Sequence, residues 1–378
     1  MTVETITLGC RLNFAESEML KRSATGNTTI VNSCAVTAEA ERQTRQAIRR
    51  ARRARPLAKI VVTGCAAQLS PDLYRAMPEV DEVETRDFTA PLAVAAGYRG
   101  RVRSFVAIQT GCDHRCTFCT IWTARGPSRS LLYPAVRDAV ERELDAGARE
   151  IVLTGVDLTS YQPSLGALCQ GLLTDLPRLE RLRLSSLDSI EIDGALMELI
   201  AGEPRLMPHF HLSLQAGDDL ILKRMRRRHS RADAVRTVAA IKTARPDATI
   251  GADLIAGFPT ESDEAALNTL RLLDDCDVIA GHIFPFSPRP GTPAERMPQV
   301  ERELIKARAA RLRARAAERR ETWLASLIGT RQRFLIENKE RGHTDGFAPI
   351  TIARSVRGDR GFAPVTGLVD GQLIGSFE

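Results

Sequence analysis

The alternation of strand-like and helix-like segments is the feature that most limits how this chain folds. Before residue 99, three short β-like runs are separated by two stretches with a helical pattern. The β-like runs are Val3–Leu8, Thr28–Asn32 and Lys59–Thr63, and the helical stretches cover about Asn13–Arg22 and Thr37–Arg55. Strands that alternate with helices form parallel sheets, because each helix carries the chain back across the face of the sheet. The sequence therefore predicts a small α/β domain over residues 1–98.

The same alternation continues on a larger scale through residues 99–328. Six strand-like runs are expected, at Ser104–Gln109, Glu150–Thr154, Arg181–Ser185, His209–Leu214, Thr249–Ile255 and Val278–Pro285. Helical patterns cover about Pro134–Ala146, Leu165–Leu173, Gly194–Ala201, Ala232–Thr243 and Ser262–Asp274, and a long basic amphipathic pattern runs from Glu301 to Leu327. Six strand–helix units are two short of a closed eight-stranded barrel. We therefore expect a partial, open (β/α)6 barrel with its site at the carboxyl ends of the strands.

Residues 329–378 have a different pattern. Alternating apolar and polar residues lie between glycine-rich turns and predict short antiparallel strands. The alternating stretches include Arg333–Ile336, Ala348–Ile352 and Val365–Val369. A segment of this length and pattern is typical of a small antiparallel β-barrel. It contains no cluster of catalytic residue types, so we expect it to bind a partner.

Composition and charge narrow the class of protein. Hydrophobic residues make up 43% of the chain and charged residues 26%, which is ordinary globular composition and excludes a disordered or collagenous chain. No apolar run is long enough to span a membrane, and the N-terminus does not have the pattern of a signal peptide, so a cytoplasmic protein without membrane contact is expected. The net charge is only +6. The basic residues are concentrated around Arg42–Arg55, Lys223–Arg231 and Glu301–Leu327, and each concentration is either a solvated helix face or a surface for a polyanion.

The chain has eight cysteines. Structural disulfides are uncommon in a cytosolic protein of this size, so metal or redox chemistry is the better expectation. Cys10, Cys34 and Cys65 each stand just beyond the end of a predicted strand of the first domain. Because parallel strands end at one edge of their sheet, these three thiols should converge there. Cys169 and Cys276 fall in or at the end of predicted helices and are expected to be packing residues.

The other three cysteines form a compact motif directly after the first strand of the predicted barrel. Cys112, Cys116 and Cys119 have the spacing C-x3-C-x2-C. Three thiolates are one too few for a four-iron cluster that normally takes four, which leaves one iron open to an exogenous ligand. The alternative is a zinc ion completed by His114, although structural zinc sites usually use paired C-x2-C arms.

This loop resembles that of the radical S-adenosylmethionine superfamily, including the aromatic Phe118 before the third cysteine and the position after strand one of a partial barrel. The resemblance implies a [4Fe-4S] cluster on the three cysteines and S-adenosylmethionine chelating the open iron. Residues at later strand ends are then candidates for binding that cofactor, unless they make ordinary strand-end hydrogen bonds. These candidates are Gly155, for the methionine amino group, and Ser186, Gln215 and Asp253.

Further motifs narrow the resemblance to the methylthiotransferase family and cover nearly the whole chain. They are Thr7-Leu8-Gly9-Cys10-Arg11-Leu12-Asn13, Asn32-Ser33-Cys34, Thr63-Gly64-Cys65, Ala124-Arg125-Gly126, Ser128-Arg129-Ser130, Leu212–Gln215, Asp253–Pro259 and Phe284–Thr292. The resemblance implies a second [4Fe-4S] cluster on Cys10, Cys34 and Cys65, and a C-terminal nucleic-acid-binding TRAM barrel. No catalytic residue beyond the cluster ligands is implied.

Residues around the second N-terminal cysteine indicate a subgroup. Cys34–Thr37, Glu39–Arg42 and Arg45-Gln46 are most similar to enzymes that act on N6-threonylcarbamoyladenosine at position 37, in the anticodon loop of tRNA. The implied reaction replaces hydrogen at C2 of this adenine with a methylthio group. We also expect an electron donor such as flavodoxin or ferredoxin, and a monomer. Three alternatives are the isopentenyladenosine form of tRNA, an aspartate of a ribosomal protein, and a non-catalytic iron–sulfur RNA-binding protein.

Overall fold

The computed structural model describes residues 2–97 and 102–376. Its first domain is the predicted α/β unit, a parallel sheet in the order β1-β2-β3-β4. The strands are β1 Glu4–Thr7, β2 Thr28–Ser33, β3 Lys59–Gly64 and β4 Glu82–Val83, and the helices are α1 Arg11–Ser23, α2 Ala38–Ala54, α3 Cys65–Leu69 and α4 Pro71–Arg75. The short β4, α3 and α4 have too few residues to show a periodic pattern, which explains why the sequence did not indicate them. The expected domain boundary at residues 98 and 99 lies outside the described residues.

Six parallel strands form the partial barrel that the sequence predicts. They are β5 Arg103–Ala107, β8 Glu150–Thr154, β9 Leu182–Leu184, β10 His209–Gln215, β11 Thr249–Ala256 and β12 Val278–Pro285, and a hairpin of β6 Gln109–Thr110 with β7 Arg129–Ser130 follows β5. The helices are α5 Ile121–Arg125, α6 Tyr133–Asp145, α7 Leu165–Asp175, α8 Gly194–Gly202, α9 Asp219–Met225, α10 Arg231–Ala244, α11 Asp263–Asp275 and α12 Arg302–Ser326. Strands β5-β8-β9 and β10-β11-β12 form two sheets, and a parallel bridge between Leu187 and Leu212 joins them. In the described part of the chain, no helix is long and apolar enough to cross a membrane.

The two faces of the barrel strands differ sharply in polarity. Side chains that point outward are apolar and pack under the helices, among them Val106, Ile151, Leu153, Leu182 and Leu184. The alternate residues of the same strands point inward and are mostly polar, because successive side chains of a strand face opposite ways. These inward residues include Arg103, Glu150, Arg183, His209, His211 and Asp253. The barrel interior is thus a polar lumen rather than a packed apolar core.

The last region is a closed barrel with the strand order β13-β14-β15-β17-β16, as the sequence predicts. Its strands are β13 Arg331–Asn338, β14 Arg341–Thr344, β15 Pro349–Ile352, β16 Arg360–Val369 and β17 Gln372–Gly375. It packs against the amino-terminal ends of the large barrel's strands, where Arg103 at the start of β5 donates to Glu337 at 2.8 Å. Thr249 at the start of β11 similarly donates to the Gly346 carbonyl at 2.9 Å.

A buried ionic network closes the lumen at this amino-terminal end. The Glu150 carboxylate is fully buried and accepts hydrogen bonds from Arg103 at 2.5 Å, Arg181 at 3.1 Å and Arg183 at 3.0 Å. Burial opposes ionisation of this carboxyl, but the three guanidinium groups outweigh it and hold the Glu150 pKa well below its usual range. Phe347 of the small barrel stacks on His209 with ring centroids 5.2 Å apart and forms the floor of the lumen.

Candidate active site

The three N-terminal cysteines converge at the carboxyl edge of the first sheet, as predicted. Cys10 is the N-cap residue of α1, Cys34 follows β2 directly, and Cys65 is the first residue of α3. Gly9 allows the close approach of the first two, because its φ of +92° favours glycine and an added Cβ would lie 2.7 Å from the Cys34 sulfur. We call these three residues the N-terminal triplet.

Two thiols of the N-terminal triplet, those of Cys10 and Cys34, lie where the surrounding protein disfavours the charged thiolate. Burial raises the pKa of Cys10, and burial together with the charges of Cys10 and Cys65 raises the pKa of Cys34 to about 11. Metal-ligating cysteines must be deprotonated, so an iron cluster would have to offset this cost through its own positive charge. Three neighbouring thiols without a disulfide, of which those of Cys34 and Cys65 are buried, fit a metal cluster.

A buried arginine from the large barrel reaches the N-terminal triplet. Arg125, at the end of α5, is 1% exposed, and its Nε lies 3.2 Å from the Cys65 sulfur. The same guanidinium donates to Asn13 at 2.7 Å and to both carboxylate oxygens of Glu16 at 2.7 and 3.0 Å. Arg125 thereby ties α1, α3 and the barrel together at the sulfur of a predicted cluster ligand.

The second set of cysteines lies in the loop between β6 and α5. We call Cys112, Cys116 and Cys119 the barrel triplet. The loop is held from below by Thr117, whose N–H donates to the Met225 carbonyl at 3.1 Å and whose hydroxyl donates to the Arg224 carbonyl at 2.8 Å. Burial raises the Cys112 pKa to about 12, with a contribution from the Asp157 carboxylate, and burial raises the Cys119 pKa to about 11.

The two triplets face each other across the boundary between the domains. Helix α5, which follows the barrel triplet, reaches the N-terminal triplet, because Nε of Arg125 lies 3.2 Å from the Cys65 sulfur. Ala124 of α5 packs in the same apolar cluster as Cys65 and Ala66 of α3. The first domain therefore covers the carboxyl end of the large barrel, which brings both predicted cluster sites to one place.

The geometry of His114 does not favour the zinc alternative. Its Nε2 lies 3.4 Å from Asp157 and 3.6 Å from Glu191, and the hydrogen bond with Glu191 raises the His114 pKa. Within residues 2–97 and 102–376, the metal-ligand group that includes this histidine contains Cys112 and Asp157 but not the other two cysteines of the barrel triplet. His114 therefore holds the loop in place through its contacts with the carboxylates of Asp157 and Glu191.

Three of the four strand-end candidates and Phe118 lie near the barrel triplet. Phe118, Gln215 and Asp253 line one cavity of about 170 Å³. Val36 and Thr37, which follow Cys34, line it from the side of the first domain. Gly155 lies close by at the end of β8, where an added Cβ would be 2.8 Å from Oε1 of Gln109. The cavity thus adjoins residues next to both triplets.

Ser186 is not brought to this cavity. Its side chain is exposed and makes no hydrogen bond in the described structure, whereas the hydroxyl of Ser185 is buried and has no partner. Successive side chains of a strand point to opposite faces, so Ser185 rather than Ser186 has its side chain on the buried face. Asp253 accepts from His211 at 2.9 Å and His282 at 3.2 Å, and these bonds lower its pKa although burial raises it.

Many basic residues have structural partners. Arg52 and Arg55 bond to the backbone of their own domain, Arg227 pairs with Asp188 at 2.8 Å, and Arg315 pairs with Asp274 at 2.6 Å. The Arg42–Arg55 segment still presents Arg49, Arg50 and Arg53 to solvent. The basic segments therefore have two roles. Many of their arginines form stabilising ion pairs and hydrogen bonds, and a smaller number form an exposed basic surface.

Comparison with known proteins agrees with these features. Residues 106–273 match the radical SAM superfamily and residues 2–84 match the uncharacterized protein family UPF0004. A structure of the radical S-adenosylmethionine methyltransferase TsrM from Kitasatospora setae, with cobalamin and a [4Fe-4S] cluster bound, has a TM-score of 0.54 at 14% identity and covers 81% of this chain and 82% of that one. This likeness shows the fold. The site and the sequence match together define a radical SAM protein.

Proteins of similar sequence show which family of radical SAM proteins this chain belongs to. The threonylcarbamoyladenosine tRNA methylthiotransferase MtaB of Rickettsia prowazekii (strain Madrid E) is 40% identical, covering 98% of this chain and 96% of the relative. MtaB of Bacillus subtilis (strain 168) is 32% identical, covering 81% and 78%. The tRNA-2-methylthio-N(6)-dimethylallyladenosine synthase of Anaeromyxobacter dehalogenans (strain 2CP-C) is 31% identical, covering 95% and 88%. The chain belongs to the radical SAM methylthiotransferase family.

Proposed function

We propose that this protein transfers a methylthio group to C2 of N6-threonylcarbamoyladenosine at position 37 of tRNA. The observation that carries the proposal is one cavity at the carboxyl end of a polar lumen, lined by Phe118 of the barrel-triplet loop and by Val36 and Thr37, which follow Cys34 of the N-terminal triplet. The name of the Rickettsia relative supports this substrate over the isopentenyl form, which appears in the name of a relative with 31% identity.

The six cysteines fit two [4Fe-4S] clusters. Each triplet offers three thiols without disulfides and leaves one cluster position free for another ligand. Cys112, Cys116 and Cys119 would hold a cluster that would supply the electron for cleavage of S-adenosylmethionine, and Cys10, Cys34 and Cys65 would hold one that would supply sulfur. We assign the metal sites to Cys112, Cys116 and Cys119 and to Cys10, Cys34 and Cys65.

The protein's own residues would position the reacting groups. Phe118, Gln215 and Asp253 would hold S-adenosylmethionine in the shared cavity, and Gly155 would let its methionine end approach the β8 backbone. Gln109 holds that turn, because its Oε1 accepts from the N–H groups of Val156 and Asp157 at 2.9 and 3.0 Å. Covering the barrel end with the first domain keeps water from reactive species. Holding the reactants in a fixed geometry is the chain's main contribution to the rate.

The target base would enter this site from a single-stranded loop. Enzymes that act on a base take it out of its stack, and loop nucleotides are the least costly to expose. The C-terminal barrel lies at the opposite end of the lumen from the triplets, so its RNA contacts would fall away from the modified base. Electron delivery would come from a small protein such as flavodoxin or ferredoxin, and the protein would act as a monomer.

The test is mass spectrometry of nucleosides from bulk tRNA of cells with and without this gene. Loss of 2-methylthio-N6-threonylcarbamoyladenosine with accumulation of its precursor is expected, and the wild-type gene should restore the product. A gene encoding Cys116→Ala should not restore it. If the methylthiolated isopentenyl derivative is lost instead, the substrate is isopentenyladenosine and the proposed substrate is wrong. An unchanged nucleoside profile, or full activity of Cys116→Ala, would contradict the proposal.

A further inference from the structure

Three exposed cations lie beside the loop that carries the barrel triplet. They are Lys223 on α9, Arg226 directly after that helix, and Arg296 in the short helical turn Pro293–Arg296 before α12. Within the described residues, none of these three side chains makes a hydrogen bond or an ion pair. We call these three residues the basic patch.

The neighbouring arginines differ from the basic patch because they are bonded inside the protein. Arg224 donates to the Thr260 carbonyl at 3.3 Å, and Arg227 pairs with Asp188 at 2.8 Å. Such contacts hold the fold together. The charges of the basic patch have no comparable internal use, so they are available to an anionic partner.

The backbone of Arg226 is also unusual for the position that it occupies. Its φ of +58° lies in the left-handed region, which residues with a side chain seldom adopt. Glycine or asparagine is usual where a helix ends in this conformation, because glycine has no Cβ to clash. An exposed arginine in this strained position favours a role for its side chain in contacting a partner.

Thr117, inside the loop of the barrel triplet, joins the two segments that carry the basic patch. Its N–H donates to the Met225 carbonyl at 3.1 Å, and its carbonyl accepts from the N–H of Ala294 at 2.9 Å. Arg226 follows Met225, and Arg296 lies two residues after Ala294. The basic patch therefore flanks the loop that carries the barrel triplet.

An apolar layer lies between the basic patch and the cavity proposed for the substrate. The buried face of α9 contributes Leu222 and Met225 to this layer, which also contains Phe258. Phe118, which lines the cavity, packs against the same layer, with its ring centroid 6.3 Å from that of Phe258. The basic patch, made of exposed residues, lies on the outer side.

We propose that the basic patch is the docking surface for an acidic protein that donates one electron. The inference rests on the proposed function, which requires such a donor. Leu220 is 54% exposed and lies one helical turn before Lys223, so the surface combines apolar contact area with charge. Complexes between redox proteins are small and transient, and complementary charges raise their association rate and fix their orientation.

The position of the basic patch suits electron delivery. The reduced donor would lose one electron, and the cluster that the barrel triplet would hold would gain it, with no bond formed or broken. Because electron transfer slows steeply with distance, the donor has to dock close to this loop. RNA phosphates are the other anions that this surface would attract. The target base, however, would enter the cavity on the far side of the apolar layer, so the geometry favours a protein donor.

The experiment measures binding of two acidic proteins, oxidised flavodoxin and oxidised ferredoxin, to the full-length, cluster-loaded protein without oxygen, by isothermal titration calorimetry. The wild type should bind at least one of them, and added salt should weaken the complex because exposed charges are screened. A variant carrying Lys223→Gln, Arg226→Gln and Arg296→Gln should bind the same donor about tenfold more weakly, as expected for the loss of three exposed ion pairs.

Two controls separate docking from folding and from net charge. Dithionite is a small reductant that needs no docking surface, so it should drive the same cleavage of S-adenosylmethionine in this triple variant and in the wild type, whereas cleavage driven by the reduced donor should fall. The matched variant carries Arg49→Gln, Arg50→Gln and Arg53→Gln on the exposed face of α2. It removes the same charge and should bind the donor as the wild type does.

Arg226→Gly gives a second test that does not depend on the triple variant. Glycine suits the left-handed backbone, so this variant should fold at least as well as the wild type. It should still bind the donor about two- to threefold more weakly, because one charge of the basic patch is gone.

The outcomes distinguish this inference from the proposed function. If neither acidic protein binds, or if the triple variant and Arg226→Gly bind the donor as tightly as the wild type, the inference is wrong. Weaker binding of anticodon stem-loop RNA by the triple variant, with donor binding intact, would assign the basic patch to RNA and also overturn the inference. In each case, methylthio product formed with dithionite would leave the proposed function standing. Absence of that product from the natural substrate would instead contradict the proposed function.

Discussion

The two ends of the large barrel differ in how their buried polar groups are paired. At the amino-terminal end, Glu150 has three guanidinium partners and the C-terminal barrel covers the opening. At the carboxyl end, two guanidinium groups contact cysteine sulfurs, Arg125 at Cys65 and Arg227 at Cys116, and several buried polar atoms of the described residues have no hydrogen bond. These unpaired atoms include Ser185 Oγ, Asp188 Oδ1, Ser189 Oγ, Arg227 Nε and His229 Nδ1. The Glu150 network also contains a buried nitrogen without a partner, Nη2 of Arg181, so the two ends differ in degree. Satisfied polar groups stabilise a structure, whereas a cluster of unsatisfied ones is a place where ligands can bind.

The largest effect is expected from a substitution of Gly111, in the loop at the carboxyl end of the barrel. Gly111 precedes Cys112 and has a φ of +75°, and an added Cβ would overlap the Pro127 carbonyl oxygen. Gly111→Ala should therefore displace the barrel triplet and reduce methylthio product at least about 100-fold, since both strain and backbone overlap must be relieved. Nucleoside mass spectrometry after reaction in vitro would measure it. Gly194→Ala, where nothing lies within 4 Å, is the matched control and should be active. Equal activity of the two variants would refute this description of the loop.

A substitution in the ionic network at the amino-terminal end of the large barrel should lower the stability of the protein. Glu150→Gln leaves three buried guanidinium groups without their carboxylate, which should cost about 3–5 kcal/mol of unfolding free energy. Denaturant unfolding would measure the loss, and Glu198→Gln on the exposed face of α8 should change it by less than about 0.5 kcal/mol. Because the Glu150 pKa is lowered, the wild-type stabilisation is present at neutral pH and disappears only below the usual pKa of a glutamate. A loss of under about 1 kcal/mol would mean that this end is not held by the network.

A substitution of Arg125 tests whether the carboxyl end of the barrel depends on a side chain that contacts both α1 and α3. Arg125→Lys keeps the charge but cannot reach Cys65, Asn13 and Glu16 together, because a lysine lacks the planar fork. We expect about tenfold less methylthio product, because a loosened anchor misplaces the reacting groups. Cleavage of S-adenosylmethionine should change less, because the barrel triplet keeps its own supports at Thr117. The ratio of product to cleaved cofactor is the readout, with Arg137→Lys on α6 as the control. An unchanged ratio would show that Arg125 only supports the fold.

The smallest effect concerns RNA contacts of the C-terminal barrel. Lys339 and Arg354 are exposed on its turns, and Arg341 is exposed at the start of β14. Changing all three to Gln should weaken tRNA binding several-fold and reduce the slope of log affinity against log salt by about 2, at roughly 0.7 per lost phosphate contact. These variants spare Glu337 and Asp345, so they avoid the destabilisation that deleting the whole region would cause. An unchanged salt slope would remove these residues from the RNA-binding surface.

Local patterns were enough to predict the longer strands and helices and the placement of the cysteines. The N-terminal triplet could be predicted because each cysteine follows a strand, and parallel strands end at a common edge. The barrel triplet could be predicted from spacing alone. Both predictions depend on short-range regularities, which a sequence displays directly.

Contacts between distant segments could not be predicted in the same way. Arg125 lies in a recognised motif, but nothing local shows that it reaches Cys65. Docking of the C-terminal barrel below Glu150 likewise depends on three arginines from three strands. The choice between Ser185 and Ser186 depends on a single residue at a strand end, which is finer than a pattern resolves.

The central claim is that two separate triplets of cysteines hold two clusters, and iron content tests it most directly. We would compare the reconstituted wild type with one variant in which Cys10, Cys34 and Cys65 are Ala, and another in which Cys112, Cys116 and Cys119 are Ala. The account predicts that each variant keeps half the iron of the wild type and that neither forms methylthio product. A variant that keeps all the iron, or one that loses all of it while still folded, would contradict two independent cluster sites.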